Sequence, residues 1–247
     1  MKRRLLLSLA GVALVAAALP VTGQAAPPSC EVPAELMQVS VTLPHLAEQL
    51  RAKRPVTIVA IGGGSTGGAA AGAADLAYPH RLQLALASFY RDVPISVINK
   101  GVPRQSTQQM VDRFPADVIA EHPVLVIWET GISDAVRGIE IDDFAAALQS
   151  GIDAVKRRAI DIVLVDMQFS HRTSTLIDFD GYLNALHRIG ELNEVYVFPR
   201  FEMMRYWSDQ QMFDFDEVTK EERARLAAQV YDCVGRELGR AIRHAVQ

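Results

Sequence analysis

The chain has 247 residues and a formal net charge of −4, from 25 Lys and Arg against 29 Asp and Glu. That balance gives no electrostatic case for binding nucleic acid. The only two cysteines are Cys30 and Cys233, and no Cys-x-x-Cys or His-rich cluster accompanies them, so neither a metal nor a cofactor is expected.

Met1 to Ala25 has a basic start (Lys2, Arg3, Arg4), an apolar run from Leu5 to Pro20 and a small-residue end at Gly23-Gln24-Ala25. This is the pattern of a secretory signal peptide, with an uncleaved anchor as the alternative. No later segment approaches the roughly 20 apolar residues a membrane span needs. Removing residues 1–25 takes away three positive charges and no acid, which makes the mature chain more acidic still. The remainder, 26–247, is long enough for one sizeable core and short for two, so a single domain is expected, exported to the periplasm or beyond. In an oxidising compartment Cys30 and Cys233, near opposite ends of the mature chain, are expected to form a disulfide; two unrelated thiols are the alternative.

After a proline-rich lead-in (26–33), residues 43–54 have helical spacing through Leu46, Ala47 and Leu50. Five short β-branched or apolar runs follow at Val56–Ile61, Ile95–Ile98, Val124–Trp128, Ile160–Val165 and Val195–Phe198. Helical patterns lie between them at Pro79–Tyr90, Thr107–Glu121, Asp142–Arg158 and Asp178–Leu192, and a long charged helix is expected over Lys220–Ala245. Strand alternating with helix predicts an α/β fold: a three-layer α/β/α sandwich around a five-stranded, parallel, doubly wound sheet of flavodoxin-like order. Ligands of such sheets bind at the carboxyl ends of the strands. The residues that leave each strand therefore matter most: 62–67, 99–101, 129–134, 168–172 and 200–201.

The first of these, in Val56-Thr-Ile-Val-Ala-Ile-Gly-Gly-Gly-Ser-Thr-Gly67, puts a hydroxyl on a glycine-rich turn. There a serine can attack a carbonyl while backbone N–H groups hold the developing oxyanion. Gly62-x-Gly64-x-x-Gly67 formally fits a dinucleotide fingerprint, but the next strand ends in Asn99-Lys100, without the acidic ribose partner. A P-loop fails because no Gly-Lys-Ser/Thr follows.

IVAIGGGSTGGAA, VINKGVPRQS and PVLVIWETGISDAVRG resemble the first three sequence blocks of the SGNH (GDSL) hydrolases. The resemblance runs from about Val56 to Gly138. It implies Ser65 at the nucleophile position, with Gly101 and Ser133 at the two further oxyanion-hole positions. It also implies a serine esterase acting on O-acyl groups of glycans or lipids of the cell envelope.

The departures touch chemistry. Gly64 stands where the family has aspartate and Ser133 where it has asparagine. The stretch from Asp214 to Cys233, where the family's Asp-x-x-His should lie, holds no histidine. The lost histidine falls near Arg225 and the lost aspartate near Glu222, and a guanidinium has no lone pair with which to accept a proton. His171 is the one histidine following a strand at the correct sheet edge, yet strand order sets it two strands away from Ser65, so no histidine is expected within reach of the hydroxyl. Glu221 and Glu222 are the nearest replacement carboxylates on this reading.

Each residue has a plainer reading. Ser65 and Gly101 are then small residues that tight turns need, His171 a solvated loop residue, Asp134 an acceptor for loop N–H groups, and Trp128 and Trp207 core rather than a sugar-stacking surface. Two functions follow: a serine esterase with degenerate machinery, or a non-catalytic protein that binds an acylated or carbohydrate ligand in the old cleft.

Overall fold

The computed structural model describes residues 30–215 and 219–247; the expected signal peptide lies outside them. Helix α1 (Pro44–Arg51) leads into β1 (Val56–Gly62). A one-turn helix α2 (Gly64–Gly67) and α3 (Tyr78–Phe89) precede β2 (Ile95–Gly101), and α4 (Thr107–Asp112) and α5 (Phe114–Asp117) precede β3 (Leu125–Glu129). Next come α6 (Ile132–Arg137), α7 (Ile141–Lys156), β4 (Asp161–Val165), α8 (His171–Ser174), α9 (Asp180–Leu192), β5 (Tyr196–Phe198), α10 (Arg200–Asp209) and α11 (Lys220–Ala245).

All strand pairs are parallel, in the order β2-β1-β3-β4-β5. This is the doubly wound order expected from the sequence. Every residue of β3 and β4 is buried, as a central strand covered on both faces must be, whereas the edge strand β2 is only partly covered. Helix α7 turns Phe144, Ala147, Leu148, Gly151, Ile152 and Val155 toward the core, a spacing of three and four residues that keeps them on one stripe. Trp128 and Trp207 are fully buried, so neither offers a stacking surface for a ligand.

Local chemistry sets the helix limits. Ser106 with Gln109 starts α4 through a reciprocal capping box, and Thr219 with Glu222 does the same for α11. The run 107–121, expected as one helix, is instead α4, α5 and a 3₁₀ turn at Ile119–Glu121. Pro115, which has no N–H to donate and crowds the preceding turn, accounts for the break. Cys30 and Cys233 form a disulfide with Cα atoms 5.1 Å apart, tying the start of the described chain to the middle of α11. Among the described residues no helix is long and apolar enough to cross a membrane.

Candidate functional site

Ser65 lies in α2, the single turn leaving β1, at the carboxyl edge of the sheet. Two glycines let this turn sit where it does. A Cβ on Gly62 would fall 2.1 Å from Thr66 Oγ1 and 2.8 Å from Glu129 Cβ, and one on Gly101 would fall 2.2 Å from the Gly67 nitrogen. Side chains at either position would push the serine turn off β3 or off β2.

The Ser65 hydroxyl donates to Glu129 Oε1 at 2.8 Å and accepts from Arg200 Nη1 at 3.1 Å. Arg200 closes the triangle through Nη2 on the same Glu129 oxygen, also at 3.1 Å. The other carboxylate oxygen takes the Thr66 N–H at 3.1 Å and the Thr66 hydroxyl. Because that hydroxyl spends its proton on Glu129, the Tyr78 hydroxyl 3.0 Å away donates to it. Glu129 and Arg200 are 1% and 2% exposed and Ser65 is 7% exposed, so the network is closed to solvent. Arg200 Nε is buried without a hydrogen-bond partner among the described residues.

Burial opposes the charge on Glu129. The adjacent Arg200 guanidinium and the hydrogen bonds from Thr66, Ser65 and Arg200 outweigh it and hold the carboxyl below its ordinary range. Burial, with the Glu129 charge adding to it, raises Tyr78 far above a normal phenol, and the same two causes push Tyr231 up to about 12. The result is a neutral rim around one compensated ion pair. A carboxylate with a depressed pKa is a poor acceptor for a serine proton.

The residues anticipated from sequence fall as follows. Gly101 adjoins the Ser65 turn, but its N–H is given to Asn99 Oδ1 at 2.9 Å, while Asn99 Nδ2 donates to the Thr66 carbonyl at 2.6 Å. That N–H is therefore not open to an oxyanion. Ser133 is half-buried in the first turn of α6 and is not among the partners of the Ser65 hydroxyl. Asp134 beside it accepts from the Thr107 N–H and, at 2.9 Å, from the Thr107 hydroxyl, joining α6 to α4. His171 places Nε2 3.0 Å from Ser208 Oγ and packs edge-on against Phe169, so it serves α10 rather than Ser65. Among the described residues no histidine bonds the Ser65 hydroxyl. Glu221 and Glu222 lie in the first turn of α11, where Glu222 caps the helix with Thr219. The carboxylate that reaches Ser65 is Glu129, the last residue of β3, and the cation is Arg200, the second residue after β5.

Residues 29–247 match the profile of the Non-GDSL lipase-like family. The chain belongs to this lipase-like family. None of the curated proteins matches it. Among solved structures, a tryptophan variant of an acetyl-xylooligosaccharide esterase from Geobacillus stearothermophilus superposes with a TM-score of 0.63 at 19% identity, covering 76% of this chain and 94% of the esterase. The acetylxylan esterase from the same organism gives 0.59 at 19% identity, with the same coverage. A lipolytic G-D-S-L family protein from Desulfitobacterium hafniense gives 0.48 at 24% identity over 57% of this chain and 75% of its own. The two Geobacillus superpositions establish that the lipase-like chain has the SGNH-type fold. Variants of the Geobacillus esterase at a serine, at an aspartate and at a histidine three positions later are described as catalytic mutants.

Proposed function

We propose that this lipase-like protein is a non-hydrolytic member of its family, exported, and that it binds an acyl-bearing ligand at the carboxyl edge of the sheet. One observation carries the reading. The Ser65 hydroxyl is held inside a buried Glu129–Arg200 ion pair, in place of the histidine that a serine hydrolase needs. For attack, the serine needs a base that takes its proton and an open path to a carbonyl. Here the proton faces a carboxylate with little appetite for it, and a guanidinium hydrogen bond occupies the oxygen. Losing the base costs on the order of 10⁶ in turnover in a well-studied serine protease.

A place for a ligand persists on the same edge. A cleft of about 500 Å³ lies between α6 and the segment leading into α9, lined by Val136, Ile141, Leu176, Ile177 and Tyr182. Val136, Ile141 and Leu176 are exposed, and grouped apolar exposure of this kind marks binding surfaces. The apolar leader in the sequence and the Cys30–Cys233 disulfide both favour export.

The test is hydrolysis of short-chain aryl esters by the purified protein, with Ser65→Ala measured beside it. Both are expected to match the uncatalysed blank. Robust turnover that Ser65→Ala abolishes would overturn the proposal and restore the serine-esterase reading on O-acylated glycans or lipids. Binding of a medium-chain fatty acid, weakened by Leu176→Asp, is the positive expectation.

A further inference from the structure

At the opposite, amino edge of the sheet lies a cavity of about 420 Å³ between the segment entering α1 and the starts of β4 and β5. Its floor is apolar, from Leu43, Ile160, Ile162 and Val195. Its rim carries Ser40, Thr42, Lys156 and Glu194, and His45 lines its wall.

Asp161, the first residue of β4, organises that histidine. One carboxylate oxygen accepts from the Leu46 N–H at 2.8 Å, satisfying a donor in the first turn of α1, a helix that has no side-chain cap of its own. The cap alone accounts for a buried aspartate here. It does not account for the second contact, in which the other oxygen lies 2.7 Å from His45 Nδ1. A carboxylate accepts, so Nδ1 carries a proton, and in the neutral ring Nε2 keeps its lone pair. Nε2 has no partner among the described residues, and the imidazole is 42% exposed against 5% for Asp161. The arrangement is an oriented acceptor beside a partly enclosed volume.

We infer that this cavity is a second binding site, separate from the Ser65 edge, and that it takes a single saccharide unit. An anion is opposed by Asp161 and Glu194, while Lys156 is engaged with the Asn193 carbonyl. Among the described residues no group of three metal-ligating side chains exists, so His45 and Asp161 have no third ligand beside them. An acyl chain would strand the polar rim. A sugar ring has one face of C–H groups for the apolar floor. Its hydroxyls each donate and accept, matching His45 Nε2 and Glu194 as acceptors and the Ser40 and Thr42 hydroxyls as either. The volume is within the range of small-molecule sites.

Long-range ¹H–¹⁵N spectra of the histidine rings test this directly. His45 is expected as the Nδ1–H tautomer in the unliganded protein. Titration with D-xylose or N-acetylglucosamine at millimolar concentration should move its Nε2 resonance to saturation. His45→Ala, at a half-buried position, should weaken that binding roughly tenfold or more, the loss of a well-oriented hydrogen bond. Leu84→Ser, on the outer face of α3, should leave it unchanged. An Nε2–H tautomer, no response to either saccharide, binding indifferent to His45→Ala, or a response to inorganic phosphate or hexanoate in place of sugar would each overturn the inference. The outcome is independent of ester hydrolysis and of fatty-acid binding at the other edge.

Discussion

Replacing Arg200 with methionine keeps most of the side-chain volume but removes the only full positive charge bonded to Glu129 among the described residues. The carboxylate then sits 1% exposed, with hydrogen bonds from Ser65 and Thr66 but no counter-ion. Breaking a buried pair from one side costs about 3–5 kcal/mol. That is roughly two to three and a half orders of magnitude in the folding equilibrium, out of a total of about 5–15 kcal/mol for an ordinary domain. Urea unfolding at neutral pH, with the disulfide intact, measures it. The pair Glu129→Gln/Arg200→Met removes both charges and keeps an amide oxygen for the Thr66 N–H, so it should recover much of what Arg200→Met loses; the double-mutant cycle isolates the coupling.

pH supplies a second readout. In the wild type the depressed Glu129 pKa contributes stability above the unfolded value near 4.3, and this is lost as pH falls through the lower folded value. In Arg200→Met burial dominates and the folded pKa rises, so the variant gains relative to wild type on acidification. The two stabilities should converge toward acid. A loss below about 1 kcal/mol for Arg200→Met, or a double variant no better than the single, would refute the claim that this pair is a compensated buried unit.

Gly101→Ala should destabilise by about 1–3 kcal/mol through overpacking against the Gly67 nitrogen. Gly64→Ala, whose Cβ would make ordinary contacts at 3.7 Å or more, should be nearly neutral by the same thermal melts. Mass analysis without reductant should find no free thiol, and Cys30→Ala/Cys233→Ala should lose up to about 5 kcal/mol, the entropy of closing a 203-residue separation. Burial raises Asp166, against the opposing hydrogen bond and charge of His187 at 3.1 Å, so its folded form takes up a proton and loses stability as pH rises above the unfolded carboxyl range. His187→Ala should raise Asp166 further and cost more stability at pH 7 than at pH 4, measured by urea midpoints at both.

The framework of strands was legible because β-branched runs between helical stretches leave little choice, and each observed strand lies within three residues of the expected limits at either end. Lys220–Ala245 was found at both ends, and the capping box of Thr219 with Glu222, which the sequence reading did not use, fixes its start. Helix α10 was missed although Met203, Met204 and Trp207 keep helical spacing, because that stripe begins on a charged residue, the buried Arg200. Ser65 could be read from a local turn, whereas Glu129 and Arg200 are 71 residues apart and meet only across the sheet. Each was visible as a charged residue leaving a strand, the position where an open sheet carries its function. What no local pattern shows is that two such charges cancel each other rather than face a substrate.

Working active sites are kept partly unsatisfied, with polar groups waiting for a ligand and a stability deficit borne by the rest of the molecule. At the carboxyl edge of this sheet most of that deficit is closed: β1, β3 and the start of α10 are laced together by donors and acceptors that have one another, Arg200 Nε alone excepted among the described groups of the network. On the proposed non-hydrolytic reading, closing the site in this way releases stability that later changes can use. The margin would let exposed apolar residues such as Leu176 and Val136, which a chain near its folding threshold could ill tolerate, accumulate on the neighbouring surface.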